Sequence, residues 1–226
     1  YGNAGLDYIQ DLTIDNSYNL YITGGFQDSI NLGGNTIQAN SSDIFIAKLD
    51  AVGNFIWNTQ LSVTGNYKSP NNIFSDADGN FYLAGLFSGN ANFGTFNINT
   101  SNTYDMFISR FNNNGDCLGV KHFGRASNFS SVVDNSGSVY CAGVFFNTVT
   151  IGSTSMTALL GQDIYLTKID AITGIGGVEG RMANNQLLIY ANPNQGKCNI
   201  TVPDEFVNEK NLTLSIYDNT GKLIQQ

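Results

Sequence analysis

The sequence predicts an all-β fold built from a repeated antiparallel unit. Three observations predict it. Asn, Ser, Thr and Gly carry the polar weight of the 226 residues while charged residues are only 12%, a balance that favours turns and strand edges over amphipathic helices. Apolar residues alternate, or run in blocks of four to eight, between clusters of Gly, Asn, Asp and Ser. The pattern also recurs: Asn19-Leu20-Tyr21-Ile22-Thr23-Gly24-Gly25-Phe26 superposes on Asn80 to Phe87 and on Ser138 to Phe145, with Tyr, Gly and Phe at fixed offsets.

Within a repeat the elements follow in order. In the first, strands are expected near 8–15, 19–26, 43–50 and 54–60, and Ser29 to Ile37 reads as a small extra hairpin or loop. The third strand repeats as Asp43-Ile44-Phe45-Ile46-Ala47-Lys48, as Asp105 to Arg110 and as Asp163 to Lys168. Four antiparallel strands per repeat correspond to one β-propeller blade, with repeats at about 1–62, 63–124 and 125–177. Three blades do not close a ring, which normally needs about four to eight, and Tyr1-Gly2 resembles the blade ending Phe123-Gly124, so further blades are expected upstream. The Gly three residues after each Tyr marks either a close approach of strands or a bulge.

The series D-x-x-G-N-x-Y-x-x-G-x-F, then D-x-F-[IL]-[AST]-[KR], then Gly53-Asn54-Phe55-Ile56-Trp57 resembles the SBBP-type β-propeller repeats of secreted bacterial proteins. The resemblance covers about residues 1–177, with Tyr18 where the first repeat should carry its turn Gly, and Trp57 alone keeping the late aromatic. After Gly176-Gly177 the period stops, and residues 178–186 read as a linker. The segment 187–226 then resembles part of the type A C-terminal sorting domain of the type IX secretion system. The matching residues are Asn192, Pro193, Asn194 and Gly196, with Ala191 in place of the first Pro, and the later hairpin residues Tyr217, Asp218, Gly221 and Lys222. That resemblance implies a small Ig-like β-sandwich, of which four strands are legible against about seven in a whole one. It also implies recognition by the translocon, cleavage by a sortase, attachment to lipopolysaccharide, and a secreted or outer-surface location in a Gram-negative bacterium.

Composition narrows the function. A net charge of -8 with no Lys/Arg cluster argues against nucleic acid as a partner. No apolar run reaches the roughly 20 residues of a membrane span, and the start at Tyr1 has no signal-like segment, so a soluble, cropped or processed chain is expected. Cys117, Cys141 and Cys198 form no C-x-x-C pair, and the sole histidine, His122, reads as an edge or surface residue with no fixed acid nearby. Two of the three cysteines sit in strand-like runs and read as buried thiols. The loop Asp76-Ala77-Asp78-Gly79-Asn80 is the one candidate calcium site, through Asp76, Asp78 and Asn80, against the simpler reading of an Asx turn; the late bidentate Glu of an EF-hand is missing. Asp28-Ser29-Ile30 matches a short O-glycosylation acceptor and reads as a chance match. Repetition of Asp at turn positions argues for structure over paired-carboxylate catalysis. The expectation is binding, adhesion or surface scaffolding with no resident cofactor, a glycan or surface protein being the ligand. The alternative is a polysaccharide-active hydrolase or lyase with its site in the propeller channel or upstream.

Overall fold

The computed structural model describes residues 5–151, 154–170, 172, 174–176, 188–192, 197–201, 216–217 and 223–225. Among them are strands and no helix, and every strand pairing but one is antiparallel. The first repeat is a four-stranded meander of β1 (Tyr8–Ile14), β2 (Leu20–Leu32), β3 (Asn35–Leu49) and β4 (Phe55–Val63). The second repeats it with β5 (Lys68–Ser75), β6 (Phe81–Phe93), β7 (Phe96–Phe111) and β8 (Cys117–Phe123). The third supplies β9 (Ala126–Val133), β10 (Val139–Ile151) and β11 (Thr154–Ile169).

The small extra hairpin or loop expected at 29–37 is a hairpin, the outer part of β2 and β3: Ser29↔Gln38 to Leu32↔Asn35 pair beyond a kink where Asp28 takes a φ of 57° and the register shifts. Gly89 and Asn147 kink the other two hairpins at the equivalent place, each with positive φ beside a register shift. Of the segment that would form the fourth strand of the third repeat, residues 174–176 are described. β12 (Gly174–Gly176) pairs in parallel with β8, at Gly174↔Gly119 through Gly176↔Lys121. In the first two repeats the β3–β4 and β7–β8 turns close through Gly53 and Gly115 at φ 90° and 88°. The free edge of β11 is met instead by β13 (Leu188–Asn192), at Leu166↔Ile189, and β13 pairs with β14 (Lys197–Thr201). β15 (Ile216–Tyr217) and β16 (Leu223–Gln225) form a further hairpin.

The meanders stack face to face, and apolar side chains fill both seams. Tyr21, Ile44, Ile46 and Leu61 of the first meet Phe81, Leu83, Phe87 and Phe107 of the second. Tyr82, Met106, Ile108 and Phe123 of the second meet Val139, Cys141, Phe145 and Tyr165 of the third. Alternation along each strand thus sends one set of residues forward to the next repeat and the other set back to the preceding one. A third cluster, including Ile22, Phe26, Phe45 and Ala47, lies on the backward face of the first meander.

The repeated Gly satisfies both readings at once. A Cβ on Gly24, Gly85 or Gly143 would lie 1.9, 2.5 or 1.9 Å from the carbonyl oxygen of Tyr8, Ser69 or Ser127, and within 3.0 Å of the ring of Phe45, Phe107 or Tyr165. Each sits beside the bulge where the inner strand shifts register, and only a bare α-carbon admits the displaced carbonyl and the ring together.

Candidate functional site

The recurrent turn carboxylates come first, because they include the calcium candidates. Asp76 Oδ1 accepts the backbone N–H groups of Asp78 (3.0 Å) and Asn80 (2.9 Å), and its Oδ2 accepts Asn80 Nδ2 (2.9 Å) and the Tyr82 hydroxyl (3.3 Å). Arg110 stands 3.9 Å from the same carboxylate. Both oxygens are therefore committed to an Asx turn beside a fixed cation, while Asp78 is exposed. Asp15 and Asp134 repeat the arrangement with Tyr21 and Tyr140. No group of three metal-ligating His, Cys, Asp or Glu side chains occurs among the described residues. Burial raises the Tyr82 phenol to about 12, with the Asp76 carboxylate adding to it against the opposing Arg110 charge, so the hydroxyl stays a donor. Asp28 belongs to the β2 kink, which gives that residue a backbone role.

A hydrogen-bonded relay ties repeat to repeat along the first strand of each meander. Asp11 Oδ2 accepts the Ile73 N–H and Asn72 Nδ2, both at 2.8 Å, and Asn72 Oδ1 in turn accepts the Ser131 N–H at 2.9 Å. Asp11 and Asn72 hold equivalent places, so one polar side chain per repeat reaches the next repeat's backbone. A second latch spans the first seam. The Asn113 side-chain oxygen accepts from Tyr21 (3.3 Å) and from the buried ammonium of Lys48, and its backbone oxygen accepts Trp57 Nε1 (3.2 Å). Burial, outweighing the nearby Asp15 charge, lowers the Lys48 pKa.

His122, expected at an edge or surface with no acid nearby, lies on the outer strand β8 and has an acid beside it. Antiparallel pairing of β7 and β8 sets it opposite Phe107, which brings Nδ1 within 3.1 Å of Asp105 Oδ2, and its side chain is only 13% exposed. The acid was missed because it lies on the preceding strand, and strand register decides which carboxylate the ring meets. Cys117 and Cys141 are free thiols, half-buried and buried, and burial raises them to about 11 and about 12. Cys198 is on β14.

The two end faces of the stack are apolar. On the forward face of the third meander, Ile164 and Leu166 are 56% and 45% exposed, whereas their counterparts Ile44, Ile46, Met106 and Ile108 are all at 0% in the internal seams. On the backward face of the first meander is a cavity of about 470 Å³, whose lining includes Tyr8, Leu12, Ile22, Phe45, Leu49 and Phe55. Ile22 and Phe45 stand where Leu83 and Phe107 receive the first meander inside the molecule.

Of the sorting residues, Asn192 ends β13 and faces Lys197 across the β13–β14 pair, and Tyr217 lies on β15 facing Leu223. Pro193, Asn194, Gly196, Asp218, Gly221 and Lys222 lie outside the described residues. No helix among the described residues is long and apolar enough to cross a membrane. No family model matches the chain, and no curated protein matches it either.

Proposed function

We propose that the three meanders are blades of a larger β-propeller, and that the protein is a secreted or surface-displayed binding and scaffolding module exported through its C-terminal sorting segment. The observation that carries the propeller reading is the pair of unmatched end faces. A forward face bearing Ile164 and Leu166 and a backward socket around Ile22 and Phe45 occupy the same repeat positions as the two halves of the internal seams. Burial of apolar area, at about 25 cal/mol per Å², favours covering both with further blades of the same repeat. Binding is favoured over catalysis because the carboxylates that recur in the repeats are engaged: Asp15, Asp76 and Asp134 in turns, Asp11 in the relay, and Asp43 and Asp105 by groups on their own sheets. The export reading is supported by the resemblance of residues 187–226 to the type IX sorting domain.

Two experiments test the two parts. A structure of the full-length protein should place further blades on both end faces, and finding both faces in solvent overturns the propeller reading. Deleting residues 187–226 should leave a folded propeller retained in the cell envelope, and unchanged surface display overturns the export reading.

A further inference from the structure

The repeats act as internal controls for one another, and one position stands out against them. In the first repeat Asp43 Oδ1 accepts the Val63 N–H at 3.0 Å, and its Oδ2 is approached by Gln60 Nε2 and Ser62 Oγ, both at 3.4 Å. The Gln60 amide also donates to the Gln38 carbonyl (3.0 Å) and to Ser62 Oγ (3.1 Å), so it bridges the outer strand to the hairpin arm. The pairings Phe45↔Gln60 and Phe107↔His122 make His122 the counterpart of Gln60. By the same offsets Asp105 stands for Asp43, Thr100 for Gln38, and Gly124 for Ser62. Where the first repeat has an amide bridge and a hydroxyl, the second has an imidazole and no side chain. A cavity of about 390 Å³ lies there, its lining including His122, Asn90, Asn99, Thr100, Ser101 and Asn102.

The lining is preorganised. Asp105 holds Nδ1 of His122 at 3.1 Å, the edge-on ring of Phe87 packs against the imidazole with centroids 5.7 Å apart, and Asn102 Nδ2 donates to the other Asp105 oxygen at 2.8 Å. With Nδ1 turned to the carboxylate, Nε2 is left to meet a ligand, while Asn102 keeps its side-chain oxygen for the same purpose. Asn90 and Asn99 add carboxamides, and Thr100 and Ser101 add hydroxyls. No Lys or Arg lines the cavity to attract a phosphate or carboxylate, and the one carboxylate already has a partner on each oxygen, which disfavours a metal cation. Mixed donors and acceptors, with the single carboxylate already bound on both oxygens, match hydroxyl groups, each of which both donates and accepts, and the volume falls within the range of about 300–1,000 Å³ typical of small-ligand sites.

We propose that this cavity is a carbohydrate subsite, in which Nε2 of His122, the Asn102 side-chain oxygen and the Asn99 amide take the hydroxyls of a neutral sugar unit. The proposal rests on the binding reading above and gives it a ligand class and an address. His122 is the only histidine of the chain, so its imidazole gives a single ring Cε1–H resonance. Titration of the 226-residue chain with cellotetraose, laminaritetraose, xylotetraose and mannotetraose at millimolar concentrations should shift that resonance saturably for at least one of them. His122→Gln, which restores the residue of the first repeat, should weaken that sugar at least tenfold by calorimetry while leaving the thermal midpoint in place. Asn99→Ala, on the exposed hairpin arm, should weaken it as well and covers the case in which the first variant fails to fold. An unmoved resonance with all four sugars, or an affinity unchanged in the folded variants, overturns the subsite. If a sugar binds with unchanged affinity in both variants, the subsite falls while the binding reading stands; if further blades and surface display also fail, the broader reading falls too.

Discussion

Gly24, Gly85 and Gly143 are held between a bulged carbonyl and an aromatic ring, and that confinement fixes what a substitution there does. Gly85→Val puts a branched side chain where even a Cβ would sit 2.5 Å from the Ser69 carbonyl oxygen, so inner-strand backbone must move. A loss of about 2–4 kcal/mol is expected in urea unfolding, and a loss under about 0.5 kcal/mol, the level of ordinary surface changes, would remove the crowding argument. The turn carboxylates act through protonation. The Ser136 hydroxyl leads the donors that hold Asp134 down at about 2, from an ordinary 3.8. A depressed folded-state pKa contributes stability above the unfolded value and loses it as pH falls through the folded one. The urea midpoint should therefore drop between pH 4 and pH 2, and Asp134→Asn should flatten that limb. Cys141, buried and raised to about 12, should resist alkylation at neutral pH until the chain unfolds; labelling in native buffer at the rate of free cysteine would contradict that. The turns were legible in the sequence because an Asp heading five residues rich in Asn, Ser and Gly encodes an Asx turn locally. The Asp105–His122 pair was not, since 17 residues separate the partners and only strand register brings them together.

At the scale of elements, strand identity followed from alternation, whereas strand length and partner did not. β2 and β3 run through the kink at Asp28, and a polar tip such as Asn31-Leu32-Gly33-Gly34 reads alike as a loop or as the end of a long hairpin. The β7–β8 turn is the element whose role exceeds its own hairpin, because Asn113 projects from it to hold Tyr21, Lys48 and Trp57 of the preceding repeat. Trp57 is the only tryptophan, so its emission reports on that seam alone. Asn113→Ala leaves the buried Lys48 ammonium without its amide acceptor. The first meander should then lose about 1–2 kcal/mol, and the Trp57 emission change should precede the loss of total β signal in urea. Coincident transitions at an unchanged midpoint would show that the latch carries no stability.

Across the whole molecule, equivalent residues have opposite surroundings, and this makes a paired test. Ile44→Lys buries a charge in the first seam and should unfold or severely destabilise the chain, by more than about 3 kcal/mol. Ile164→Lys places the same charge at the same repeat position on the open forward face, and stability of the isolated chain should change by no more than about 0.5 kcal/mol. Equal losses would mean that the forward face is already covered. The periodic pattern made the repeat readable, but the relay from Asp11 to Ile73 and from Asn72 to Ser131 was not, because partners about 60 residues apart meet only after the meanders stack. The same relay bears on how such an array grows. At both seams a polar side chain of one repeat reaches a backbone N–H of the next, beside matching apolar faces. A tandem duplication of one repeat within the gene would meet its neighbours through the same relay and the same apolar faces, and the seams would differ only in whether they carry the Asn113 latch.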